Sequence, residues 1–292
     1  MPLTHKRTFR VRSYECDAYG HVNNANYLRY MQEAALDASA AVGYDEARYN
    51  ALGHIWVIHE TNIEYLRPLR FGDSVEVTTW VGDFRRVRSR RMYELRSVAS
   101  GELVATATTD WVYIERATLR PARVPPEMIA AFLPEGAPEG TSARDPFPPA
   151  PPPPPGIVTV QREVEWRDID PEQHVNNAAY LNYMEEAGFK AALAFGWSAK
   201  RMQSEGFAIV ARQIRVEYRQ QAALGDSLVI STYLSDLRRA SAIRHYLITR
   251  ADDGAVIAQA RALWIFVNLN TGGIMRLPTV FLDDFRSHVA SE

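Results

Sequence analysis

Gly20-His21-Val22-Asn23-Asn24-Ala25-Asn26-Tyr27-Leu28 returns as Gln173-His174-Val175-Asn176-Asn177-Ala178-Ala179-Tyr180-Leu181. The two stretches lie 153 positions apart, and the same offset carries Glu64-Tyr65 onto Glu217-Tyr218, Gly72-Asp73-Ser74 onto Gly225-Asp226-Ser227, Asp83 onto Asp236, Trp111 onto Trp264 and Pro125 onto Pro278. No gap is needed anywhere along that span. In a chain of 292 residues this is a tandem duplication. Repeat units of solenoids run to only about 20–50 residues, so two similar domains are expected, each long enough to bury its own core. The boundaries that follow are residues 1–133 for the first domain and 157–292 for the second.

Residues 134–156 between them are rich in proline and poor in aliphatic side chains. The Pro151–Pro155 run suits extended polyproline II, at about 3 Å per residue, and reads as a plain spacer. Composition narrows the class further. Hydrophobic residues make up 47% and charged residues 23%, as in an ordinary globular protein, and the net charge of −2 gives no support to nucleic-acid binding. The single cysteine, Cys16, excludes an intramolecular disulfide and a cysteine-rich metal site. No stretch approaches the roughly 20 apolar residues of a membrane helix, and MPLTHKRTFRV lacks the apolar core of a signal peptide. A cytoplasmic protein is the expectation.

Within one copy, residues 6–14 alternate as a strand does. Residues 25–42 place Leu28, Met31, Ala35, Ala38 and Val42 on one helical stripe, matched by Leu181, Met184, Gly188, Ala191 and Phe195. Small residues in the middle of that stripe let the helix, about 27 Å long, lie close against a curved surface. Gly43 and Gly196 stand where such helices end. Four strands follow a short helical segment, at 55–67, 74–84, 88–99 and 103–115, with turn residues between them. Alternation puts Ile55, Val57, His59, Thr61, Ile63 and Tyr65 on one face of the first of these. A strand, a long helix and an antiparallel meander make an α+β domain.

The chemistry-bearing residues cluster where the first strand gives way to the helix. Asp17 and Asp170 each precede a histidine, His21 and His174, by four positions, and Asn24 and Asn177 fall at the helix start. Free N–H groups at a helix N-terminus suit a carbonyl oxygen that becomes negative in a tetrahedral intermediate. A nearby carboxylate can activate water or attack the carbonyl itself. Histidine and asparagine could hold that water, orient the aspartate or touch the carbonyl. A thioester fits, being electrophilic with a good leaving group. An aspartate before a helix is more often only a cap, but the longer motif, in this setting and in both copies, favours function.

Asp-x-x-x-His-Val-Asn-Asn-x-x-Tyr-Leu, present twice, resembles the hot-dog-fold thioesterases, both the 4-hydroxybenzoyl-CoA type and the acyl-carrier-protein type. The run from Glu64 to Asp73 is a weaker match to the same family. The resemblance covers both copies. It implies two tandem hot-dog domains, each an antiparallel sheet wrapped around a central helix, paired within the chain as a pseudo-dimer, with further oligomerisation open. It implies catalytic carboxylates at Asp17 and Asp170, carbonyl-polarising backbone N–H groups at Asn24 and Asn177, and roles for His21 and His174. Coenzyme A or phosphopantetheine would arrive as part of the substrate, with no separate cofactor and no metal. The asparagine that the plant enzymes carry two residues before the histidine is replaced here by Tyr19 and Glu172.

Other candidates surround the substrate. Asn23 and Asn176 could contact it directly. His59 and Arg212 occupy equivalent positions in a mostly apolar strand, where a polar group needs a partner; they line a pocket or sit at a domain interface. Arg88 and Arg90 belong to a basic run, from Arg85 to Arg96 and echoed by Arg238, Arg239 and Arg244, that could hold coenzyme A phosphates, meet an acidic carrier protein, or blunt a strand edge. Cys16 has Ile169 as its counterpart and reads as a small buried side chain. Glu33 and Glu186 read as exposed helix carboxylates. The function expected is hydrolysis of acyl-CoA or acyl-carrier-protein thioesters. The alternatives are an acyl-thioester binder without turnover, and a hot-dog hydratase or dehydratase, against which the Asp-to-His interval of four and the absence of Asn-Pro both speak.

Overall fold

A computed structural model describes residues 2–136 and 144–290; the part of the proline-rich segment from 137 to 143 lies outside the described residues. The chain divides into two compact units, Met1–Pro146 and Phe147–Glu292.

The first unit runs β1 (Thr4–Arg10), α1 (Asn24–Ala41), α2 (Glu46–Leu52), β2 (His54–Tyr65), β3 (Ser74–Phe84), β4 (Arg88–Ser97), β5 (Leu103–Glu115) and α3 (Pro126–Phe132). All pairings are antiparallel and give the order β1-β3-β4-β5-β2. One face of β3, with Val75, Val77, Thr79 and Val81, is buried and turns toward α1. The expected stripe of Leu28, Met31, Ala35 and Ala38 is buried, but so are Tyr27, Tyr30 and Ala34. Burial around much of its circumference is what wrapping in a curved sheet does to a helix. Val42 caps α1 and Gly43 follows at φ +82°, left-handed backbone that glycine takes without penalty.

The second unit repeats this design: β6 (Val158–Glu163), α4 (Ala179–Ala194), α5 (Ala199–Ser204), β7 (Phe207–Tyr218), β8 (Ser227–Ser235), β9 (Ser241–Arg250), β10 (Val256–Asn268) and α6 (Thr279–Asp284), with the order β6-β8-β9-β10-β7. The short C-terminal helices α3 and α6 were not anticipated, although each starts just after a proline suited to a first turn.

Several sequence expectations need correction. The first strand stops at Arg10, not Tyr14, because the buried Glu15 carboxylate accepts the Arg12 N–H at 2.7 Å and the Tyr30 hydroxyl at 2.7 Å, winding Ser13–Glu15 into a short 3-10 turn. Simple alternation in β2 fails at His59. There the register against β5 shifts between Ile58 and Glu60, so Ile58 and Thr61 are buried while Val57 and His59 are only half-buried. The matching shift in the second unit, between Leu263 and Trp264 of β10, leaves Arg212 as the extra residue. Strand β4 pairs on both sides, so its arginines blunt no edge.

The end of the proline-rich segment is more than a spacer. Arg144 reaches back into the first unit, donating from Nη2 to Asp83 at 2.7 Å and from Nε to Asp110 at 3.0 Å. In the second unit the Gly156 N–H donates to the Ser287 carbonyl at 2.8 Å, and the Tyr233 hydroxyl donates to the Pro151 carbonyl. Among the described residues no helix is long and apolar enough to cross a membrane.

Candidate active site

In the first unit the site loop closes on itself. The Asp17 N–H donates to the His21 carbonyl at 2.7 Å, and Asp17 Oδ1 accepts two backbone N–H groups, from Tyr19 at 2.8 Å and from His21 at 3.1 Å. Asp17 therefore organises a turn; it does not cap the helix. Its Oδ2 takes no hydrogen bond among the described residues. The turn closes through Gly20 at φ +76°.

The helix cap is Asn23. Its Oδ1 accepts the Ala25 N–H at 2.9 Å and its carbonyl accepts the Asn26 N–H at 2.9 Å. The Asn23 N–H is itself held by the Glu15 carbonyl at 2.9 Å. Of the first three N–H groups of α1, this leaves the Asn24 N–H with no protein acceptor among the described residues, an orphan donor at the positive end of the helix. The Tyr65 hydroxyl donates to the Asn24 carbonyl at 3.3 Å and anchors the same residue from the sheet.

The second unit builds a related loop, but its helix starts later: α4 begins at Ala179 with Ala178 as its cap and no side-chain cap bond. The Asp170 N–H donates to the His174 carbonyl at 2.9 Å, and Asp170 Oδ1 accepts the Glu172 N–H at 3.0 Å. Asn176 Oδ1 accepts the Ala178 N–H at 2.9 Å, its carbonyl accepts the Ala179 N–H at 2.9 Å, and the Tyr218 hydroxyl donates to the Asn177 carbonyl at 3.1 Å. The Asn177 N–H is again the donor left over among the described residues. Gln173 replaces Gly20 and keeps its left-handed backbone at φ +64°. A residue with a Cβ held there carries strain, and such strain often gathers at functional sites.

Electrostatics separates the two copies. Burial raises Asp170 above the ordinary carboxyl range, against the pull of its backbone N–H bonds and of His174. Burial, helped by the nearby Arg70 guanidinium and opposed by Asp17, lowers His21, so that its ring is neutral at pH 7. Arg70 has Ala223 as its counterpart, so the second site lacks this cation. His21 Nε2 and His174 Nδ1 are both buried without a partner among the described residues. Cys16 is half-buried rather than core, with Sγ 3.8 Å from the Arg12 carbonyl.

The remaining candidates lie elsewhere. His59 and Arg212 are the extra residues of the two bulges, and bulges recur beside active sites because they re-aim side chains. Arg90 forks onto Asp110 at 2.8 and 2.7 Å, and Arg88 is half-buried on β4. Within the basic run Arg91 and Arg244 are buried and take no part in a surface patch. Glu33 meets Arg7 at 3.2 Å and Glu186 meets Lys190 at 3.8 Å, both on exposed helix faces. Sequence reasoning missed the anchoring role of Tyr65 and Tyr218; their shared offset was visible, but their contacts with the helix start were not. Among the described residues, no three histidine, cysteine, aspartate or glutamate side chains gather as a metal site requires.

Residues 2–132 match the acyl-ACP thioesterase N-terminal domain, and residues 164–285 match the thioesterase-like superfamily. The chain belongs to the hot-dog-fold thioesterase superfamily, as two such domains in tandem. Its relatives include a chloroplastic acyl-[acyl-carrier-protein] hydrolase of Cuphea viscosissima, 23% identical over 282 residues that cover 94% of this chain and 65% of the relative. The chain thus spans just under two thirds of the length of that curated relative. A Lactobacillus plantarum protein designated an oleoyl thioesterase shares the fold, with a TM-score of 0.76 at 20% identity over 90% of this chain and 96% of the other. The 12:0-ACP thioesterase from Umbellularia californica does so with a TM-score of 0.69 at 22% identity, over 89% and 93% of the two chains.

Proposed function

We propose that this chain hydrolyses acyl thioesters, with acyl-carrier-protein esters as the first candidate substrates and acyl-CoA esters as the second. The observation that carries the reading is the loop-to-helix junction repeated in both units, where an asparagine Oδ1 holds a backbone N–H, the next asparagine's N–H is left over among the described residues, and a carboxylate pinned through Oδ1 presents its second oxygen; in the first unit that asparagine caps α1. In this reading the thioester oxygen accepts the Asn24 or Asn177 N–H, and Oδ2 of Asp17 or Asp170 takes a proton from the attacking water. The tetrahedral intermediate then expels the thiolate, which takes up that proton, and the acid is released. One such N–H is worth roughly 3 kcal/mol of barrier, and a positioned base contributes about 10²–10⁴-fold.

His21 and His174 would orient water or carbonyl through the buried nitrogen that no other described group engages. Asn23 would act through the cap of α1, and Asn176 through its hold on the Ala178 N–H. His59 and Arg212 would shape the acyl side, and Arg88, beside the exposed Arg85 and Arg86, would meet the phosphates of the carrier arm. Coenzyme A or phosphopantetheine enters only as part of the substrate.

The test is thiol release from a panel of acyl-carrier-protein and acyl-CoA thioesters by wild type, Asp17→Asn, Asp170→Asn and the double variant. Partial loss in each single variant and near-total loss in the double supports two sites. Full turnover by the double variant refutes the carboxylate mechanism.

A further inference from the structure

The Asp17 carboxylate and the left-over Asn24 N–H lie on different pieces of backbone, a turn and a helix start, so some group must fix one against the other. Glu15, two residues before Asp17, is bonded through both its main chain and its side chain. Its carbonyl accepts the Asn23 N–H at 2.9 Å and the Asn26 side-chain amide at 2.8 Å. Its carboxylate Oε2 accepts the Tyr30 hydroxyl and the Arg12 N–H, each at 2.7 Å. Asn26 and Tyr30 stand one turn apart on α1, so Glu15 is tied to the helix at its first turn and again at its second. Glu15 is 7% exposed and Asn26 6%, where water does not replace a lost partner. Burial, and then the bond to Glu15, keep the Tyr30 hydroxyl protonated and hence a donor. The Tyr30 ring is held in turn by stacking on Phe9 of β1, with centroids 4.8 Å apart.

The duplication supplies a comparison. At the same offset the second unit carries Asp168 for Glu15, Ala179 for Asn26 and Arg162 for Phe9, while Tyr183 matches Tyr30. The main-chain bond survives: the Asp168 carbonyl accepts the Asn176 N–H at 2.8 Å. The side-chain amide bond is lost with the asparagine. The shorter carboxylate accepts the Glu165 N–H at 3.1 Å and the Arg162 guanidinium at 3.3 Å, and that guanidinium lies 4.3 Å over the Tyr183 ring. There the helix starts only at Ala179, after a cap with no side-chain bond, whereas α1 starts at Asn24, straight after its asparagine cap. The fuller set of ties and the earlier, capped helix start occur together.

We propose that Glu15, Asn26 and Tyr30 are positioning residues of the first site: they clamp the Asp17 turn onto the start of α1, so that Asp17 Oδ2 and the Asn24 N–H meet one thioester at a fixed spacing. Their effect on turnover rests on the thioesterase reading; the clamp itself does not. A misplacement of about 1 Å can cost about 10²-fold in rate, and a donor that serves the developing oxyanion acts on kcat more than on KM. Asn26→Ala and Glu15→Asp install residues with which the second unit closes its own loop, and Tyr30→Phe keeps the stacked ring. Turnover of acyl-carrier-protein thioesters by the full chain is measured in the Asp170→Asn background, where Asp17 alone acts. Each of the three changes lowers kcat about tenfold, moves KM by less than about twofold, and speeds hydrogen exchange at the amides of residues 23–25 about tenfold. Glu15→Gln, whose amide oxygen can accept the same two bonds, stays within about twofold of Glu15 in both readouts. In the Asp17→Asn background, where only Asp170 acts, the same three changes alter the remaining turnover by less than about twofold. Unchanged kcat or unchanged exchange in the three variants, equal losses in the two backgrounds, or a Glu15→Gln loss as deep as that of Glu15→Asp overturns the proposal. A wild type that cleaves no thioester overturns the hydrolase reading, and exchange at residues 23–25 then still decides whether the clamp holds the helix start.

Discussion

Replacing Arg144 with methionine is the sharpest test of how the proline-rich segment is held. Arg144 bridges Asp83 and Asp110, whose side chains are each 7% exposed. After Arg144→Met, Asp110 keeps its two-pronged bond to Arg90. Among the described residues Asp83 keeps only Arg85, 3.8 Å away on a side chain that is 50% exposed. The cost is then mainly that of one buried carboxylate losing its partner, about 3 kcal/mol, which for a unit of this size lowers its melting temperature by about 6–12 °C. Differential scanning calorimetry of the full chain reads it. Asp83→Asn added to Arg144→Met removes the stranded charge and recovers at least about 1 kcal/mol. Acid weakens the effect. Burial alone would raise Asp110, but hydrogen bonds from Arg90 and Arg144 hold it below the ordinary aspartate value, so its contribution is complete above about pH 4 and fades as pH falls through the depressed folded value. A change below about 0.5 kcal/mol on Arg144→Met at pH 7 would be a surface effect and would refute the anchoring argument.

Gln173→Gly relieves left-handed strain worth about 1–2 kcal/mol, offset by the backbone freedom glycine loses, for a net gain of up to about 1 kcal/mol in urea denaturation; a loss would mean the Gln173 side chain makes contacts that outweigh the strain. In the Asp17→Asn variant only Asp170 remains to act, and because burial raises it, the acid limb of the pH–rate profile lies above the ordinary aspartate value of about 3.9. His245 and His288 are buried and pushed down to about 4. The unfolded chain takes up their protons near 6.5 and the folded one does not, so the second unit loses stability as pH falls from about 6.5 to about 4. His288→Gln shallows that slope in acid titrations followed by circular dichroism.

Much of the local design was legible. The stripe from Leu28 to Ala38 is buried, the helix ends at Gly43 and Gly196, and the strands from Ser74 and Leu103 run as their alternation suggests. What alternation could not see was the extra residue at His59 and at Arg212, because a bulge leaves no break in the pattern of residue types; only the partner strand reveals it. The same limit applies to Arg91 and Arg244, which read as members of a basic run although each lies on the buried face of its strand.

The duplicated loop-and-helix start was within reach of the sequence alone, because its bonds close within a few residues: Asp17 to Tyr19 and His21, Asn23 to Ala25, and their counterparts 153 positions on. Short-range geometry of that kind follows from residue type and spacing. Tertiary structure decided which distant polar groups share a dry environment. Arg144 meets Asp83 across 61 positions, Tyr65 reaches Asn24 across 41, and the Tyr30 hydroxyl reaches Glu15 across 15. Inside a protein an unmet hydrogen bond is costly because water cannot supply the partner, and only the packed structure says where water is excluded.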